Sequence, residues 1–211
     1  MASIGPALLC GLLAALIAGL ELVTSKYSRT FPLLNRSLAL YIYVLIYVGI
    51  GFATMFSLDT LVQAGALKLE GFGLTNPWVQ ALVLGLSIKA VLHIRLFNVS
   101  VGSESFPVGI ATIMQLFEPW LLEQISLDEF NAVRTFLAPA LSSYQDLDEV
   151  KKKIKGNLPR SFSGSQRIAF EVDIRNSTTV DEAMELYLGR FGVVSLNRIF
   201  PAIRPGMLKD K

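Results

Sequence analysis

The chain has 211 residues, 52% hydrophobic and 17% charged, with 19 basic against 17 acidic side chains. Soluble domains carry about 25% charged residues, yet residues 1–99 hold only nine while the other 112 hold 27. This split excludes a soluble single-domain enzyme, a disordered chain and, with one cysteine, a disulfide-built module. It points to an integral membrane protein with a polar C-terminal part, and a net charge of +2 gives no sign of nucleic acid as a global partner.

Residues 4–23 form the first apolar run, with Glu21 its one charge. A helix of that length rises about 30 Å, enough to cross a bilayer core. No Lys or Arg precedes it, which argues against a secretory signal. The second run, 38–57, has no charge, and a third, 77–97, contains Gln80, Ser87, Lys89, His93 and Arg95. The three define a transmembrane domain over 1–99. Lys26, Arg29 and Arg36 follow the first run without an acid, so the positive-inside rule makes that loop cytoplasmic. The N-terminus is then outside and the C-terminal domain inside, in what is expected to be a bacterial inner membrane.

Small residues four apart let helices approach closely in lipid. Gly11, Ala15 and Gly19 mark such a stripe in the first span, Gly49 and Ala53 in the second, Ala81 and Gly85 in the third. They pack either one protomer or several copies, and a bundle this thin favours a homo-oligomer. Extending the third stripe reaches Lys89 and His93. Ionisable groups at membrane depth face protein or water, and Glu21 reaches the same depth by helical rise. Glu21, Lys89, His93 and Arg95 are therefore a candidate intramembrane polar cluster, with Glu21 pairing Lys89 or His93. Either the cluster lines a constriction, or its cations snorkel to headgroups.

Residues 100–125 connect the spans to the polar part. Within them, 106–122 is apolar but carries Gln115, Glu118 and Pro119, which suits an interfacial or core helix. A fourth span is the alternative, and would put the C-terminal domain outside. From 126 to 211 the spacing predicts a small α+β cytoplasmic domain. Ser126-Leu-Asp-Glu129 has the form of a capping box opening a helix, ended or kinked by Pro139. Further helices fit Asp146–Ile154, and Thr179 to about Gly189. The alternation in Arg167–Ile174 predicts a strand, and Val193–Phe200 a second.

Chemistry is sparse. No histidine or cysteine follows residue 93, so a Ser-His-Asp or Cys-His machine is excluded there. One cysteine and one histidine cannot make a four-ligand zinc site, and no phosphate-loop or dinucleotide motif occurs. No enzyme, metal or cofactor is expected. Lys151, Lys152, Lys153, Lys155, Arg160 and Arg167 bracket a Ser/Gly loop and form a candidate anion site for a nucleotide or lipid headgroup. The bland reading is lysines complementing a helix C-terminus. The layout of short spans before a small cytoplasmic module resembles bacterial membrane effectors of antiviral and stress signalling. That likeness is analogy of layout alone; the function expected is a homo-oligomeric sensor/effector that reads an anionic ligand or a soluble protein partner. A scaffold anchoring a soluble partner and an ion channel or transporter subunit are the alternatives.

Overall fold

A computed structural model describes residues 4–66, 76–92, 95–101, 104–159, 162 and 164–201, with only the backbone considered within 91–113. The chain divides into two compact units, Met1–Lys26 with Ser37–Ile125, and Tyr27–Arg36 with Ser126–Lys211.

In the first unit, α1 (Ile4–Leu22) buries its small residues, Ala7, Cys10, Gly11, Ala14, Ala15 and Ala18. Its opposite face, Ile4, Leu8, Leu12, Leu16 and Leu20 at four-residue steps, stays exposed. Apolar all round, such a helix needs a protein core or lipid on every side. The helix then widens into a π turn at Val23–Tyr27. There the Thr24 hydroxyl donates to Leu20 and Glu21 carbonyls, supplying donors the widened ladder lacks. α2 (Leu38–Gln63) starts at Ser37, whose hydroxyl accepts from the Leu40 N–H. Tyr43, Tyr47, Gly51 and Met55, again four apart, are its buried stripe. The two backbones nearly touch: a Cβ on Gly51 would lie 2.8 Å from Gly11 Cα. Through its π turn α1 extends as one helix to Tyr27, and among the described residues it and α2 are the two helices long and apolar enough to cross a membrane.

The third expected span, 77–97, does not form as one helix. α3 (Pro77–Leu86) begins at Asn76, whose side chain accepts from the Trp78 N–H, with Pro77 at the first helical position. It ends at Ser87, whose backbone leaves the helical region, and α4 (Ile88–Leu92) follows. Ten residues reach about 15 Å, half a bilayer core. α3 lies along α1 in the same direction, with the Trp78 ring at Gly5 and Gly85 at Cys10 and Leu13. β1 (Arg95–Val101) and β2 (Glu104–Gly109) pair as an antiparallel hairpin. The hairpin replaces the end of the expected span and the start of the expected 106–122 helix.

α5 (Ile110–Ser143) runs unbroken through Ser126 and Pro139, so the Ser126 box caps nothing. Its residues from Ser126 onward belong to the second unit. α6 (Leu147–Gly156) is capped by the Asp146 carboxylate, which accepts from the Asp148 N–H. α7 (Gly164–Asn176) and α8 (Val180–Ile199) follow, with the Thr179 hydroxyl capping α8. The expected α+β domain is thus corrected: among the described residues of this unit every regular element is a helix. Arg167–Ile174 is helical, with Phe170 and Ile174, one turn apart, buried while Ile168 and Val172 are exposed. Val193–Ile199 is also helical and buries residues 193, 196 and 199. All four helices meet in one core, including Phe136, Leu137, Ile154, Ile174, Met184, Tyr187 and Leu196.

Candidate functional site

Ten residues that join α1 to α2 fold as part of the second unit. Leu34 is 1% exposed and Leu33 packs on the helical core. The Tyr27 hydroxyl shares a hydrogen bond with the Ser126 hydroxyl at 3.1 Å, and the Thr30 hydroxyl donates to Glu129. Both members of the apparent capping box are therefore spent on this segment, which explains the motif without a helix start.

The tightest join is at α8. Gly192 sits at φ 82°, ψ 172°, a conformation essentially confined to glycine. In an unbroken helix the Val193 N–H would donate to the Gly189 carbonyl. Here the Val193 N–H donates to the Arg29 carbonyl at 3.3 Å, and the Arg29 guanidinium donates to the Gly189 carbonyl. One residue supplies both halves of the bond that the kink removes.

Arg29 also lines a cleft of about 440 Å³ with Phe170, Asp173, Glu182, Glu185, Leu186, Gly189 and Arg190. The Thr178 N–H and hydroxyl hold the Glu182 carboxyl below its usual range. Burial, with Asp181 beside it, pushes Glu185 up against the opposing pull of Arg134. Arg190 lies over the Phe162 ring at 5.4 Å. Three carboxylates and two guanidiniums line it beside Phe170 and Leu186. Among the described residues no group of three His, Cys, Asp or Glu side chains could hold a metal ion.

The residues singled out from sequence are dispersed. The Lys151 ammonium donates to the Arg175 and Ser177 carbonyls at 2.9 and 2.7 Å, closing the end of α7. Lys153 donates to the Tyr144 hydroxyl and lies over the Tyr144 and Phe200 rings. Arg167 pairs with Glu171 one turn on, at 2.9 Å. Lys152 is exposed, Lys155 is half-buried, and Arg160 lies outside the described residues. Two members of the expected anion site, Lys151 and Lys153, thus tie elements of their own domain together, and Arg167 is paired within its own helix. Lys151→Met should lower stability by about 1–2 kcal/mol, since two charge-assisted bonds to helix-end carbonyls are lost. Denaturant unfolding of the full chain would measure it.

In the first unit Glu21 and Lys89 form an ion pair, each side chain about half exposed. His93 lies outside the described residues, and of Arg95 only the backbone is described. Gly11, Ala15, Ala81 and Gly85 are buried and Gly19 lies against Val44. Gly49 and Ala53 are exposed, because α2 turns Gly51 to α1 instead. Tyr43 donates to Glu118 at 3.2 Å, giving that acid a partner inside the unit. The sequence reading missed Tyr27, Arg29 as a bridge, Thr30, Leu34 and Gly192. Its available signal was a ten-residue loop too rich in Tyr, Phe and Leu to be merely solvated.

No family model, curated protein or solved structure matches the chain.

Proposed function

We propose that the protein is a membrane-anchored sensor/effector. In this reading the C-terminal helical domain takes up a signal and passes it to the helices α1 and α2. The observation that carries the reading is the placement of Tyr27–Arg36, which joins those helices yet folds with the C-terminal unit. A change in the packing of that unit therefore acts directly on the chain linking α1 to α2.

The all-round apolar surface of α1 supports insertion in lipid. Lys26, Arg29 and Arg36 cluster at the α1–α2 link, which supports a cytoplasmic position for it and for the domain that contains it. Gly49 and Ala53 on the exposed face of α2 leave room for a second copy.

The test is made on the full chain expressed in a bacterial inner membrane, with potential followed by a voltage-sensitive dye. Tyr27→Phe with Thr30→Val cuts the two side-chain tethers to α5 without altering α2 or the apolar body of α1. The pair should move the potential measurably from the wild-type value. An unchanged potential, with the variant inserted and folded, would sink the effector reading and leave a scaffold.

A further inference from the structure

A straight α8 and the seat of Arg29 compete for the Val193 N–H. With Arg29 in place, the Gly189 carbonyl takes the guanidinium and the Val193 N–H gives to the Arg29 carbonyl. Were Gly192 to adopt helical angles, Gly189 and Val193 would bond each other and the Arg29 carbonyl would lose the Val193 N–H. Both arrangements give the Gly189 carbonyl and the Val193 N–H a partner.

We propose that α8 is a two-state element, kinked when residues 27–36 are latched on it and straight when they are released. Glycine is the residue that allows both, since it accepts positive and negative φ alike. A Cβ at 192 would meet the Arg29 carbonyl at 3.3 Å and would be strained at φ 82°. The kinked state therefore disfavours a side chain there. Burial of Leu33 and Leu34 holds the latch closed. Elements with two discrete packings are what convert a small local change into a switch. The consequence for the membrane rests on the function proposed above, whereas the two states of α8 do not.

The experiment reads the helix itself. Spin labels are placed at exposed positions 182 and 198 of the full chain, with Cys10→Ala removing the native thiol, and their separation is measured by pulsed electron resonance. Backbone positions 16 residues apart on a straight helix lie about 24 Å apart along the axis. Wild type should show one separation that differs from the straight-helix value. Arg29→Ala removes the guanidinium half of the latch, and Gly192→Ala disfavours the kink. Each should shift population to the straight-helix separation.

An unchanged distance in both variants would overturn the proposal. Should Gly192→Ala give only a broad, unfolded distribution, Arg29→Ala decides: a shift supports the switch and an unchanged distance overturns it. The dye measurement fails separately. A shift in α8 with a silent membrane removes the effector role but keeps the switch, and the converse removes the switch alone.

Discussion

Tyr187→Ala is expected to destabilise the C-terminal unit by about 3–5 kcal/mol, the range for deleting a buried aromatic side chain. Tyr187 is 2% exposed and its ring lies 4.7 Å from Phe191 and 6.3 Å from Phe170. Phe162 completes the group, edge-on to both phenylalanines. Three of these rings come from different places, the loop before α7, α7 itself and α8, so no single helix can shift to fill the void. Tyr187→Phe keeps the ring and should cost far less. Equilibrium denaturation of both variants makes the comparison. A cost under about 1 kcal/mol for alanine would show that the neighbouring rings collapse into the space.

In the first unit the largest expected effect comes from one methyl group. Gly51→Ala places a Cβ 2.8 Å from Gly11 Cα, 2.9 Å from Ala14 Cβ and 2.9 Å from the Cys10 carbonyl. None of these atoms ends a flexible side chain, so α1 and α2 must move apart. Overpacking of this kind costs about 1–3 kcal/mol, and it outweighs the gain of about 1 kcal/mol from replacing a helical glycine. Gly49→Ala is the matched control, because nothing lies within 4 Å of its Cβ position. Thermal stability in detergent should fall for residue 51 and hold or rise for residue 49. Equal behaviour would mean that the helices do not meet on the Gly11–Gly51 line.

The contrast between residues 49 and 51 shows where sequence reading stops. Small residues four apart mark a face along which a helix can pack, but not which face is used. Gly49–Ala53 fits the spacing as well as Tyr47–Gly51–Met55, and only the partner helix chooses. Length and apolarity were enough to find α1 and α2, and side-chain chemistry to find the starts of α6 and α8 at Asp146 and Thr179. The misread strands have a physical cause. Ile168, Phe170, Val172 and Ile174 alternate, yet they also contain two pairs one helical turn apart, and such short runs fit either period. The third span failed because hydropathy does not register a backbone break at Ser87.

The candidate site was less legible than the fold. Lysines at 151 and 153 attract attention as charge, although their ammonium groups are occupied by carbonyls, a hydroxyl and rings of their own domain. Arg29 reads in the sequence only as one more charge beside the first span. Its role depends on a missing hydrogen bond 160 residues away, and no local pattern carries such information.

That separation also orders events during synthesis. Residues 27–36 leave the ribosome long before the helix they complete has been made. At about 5–20 residues per second, the wait between Arg29 and Gly189 is roughly 10–30 s. Through that interval Leu33 lacks the helical core it packs on, which is made from residues 133–200. A chaperone or the insertion machinery is the natural shelter for this stretch, and slowed elongation late in the chain should lengthen its exposure to proteases.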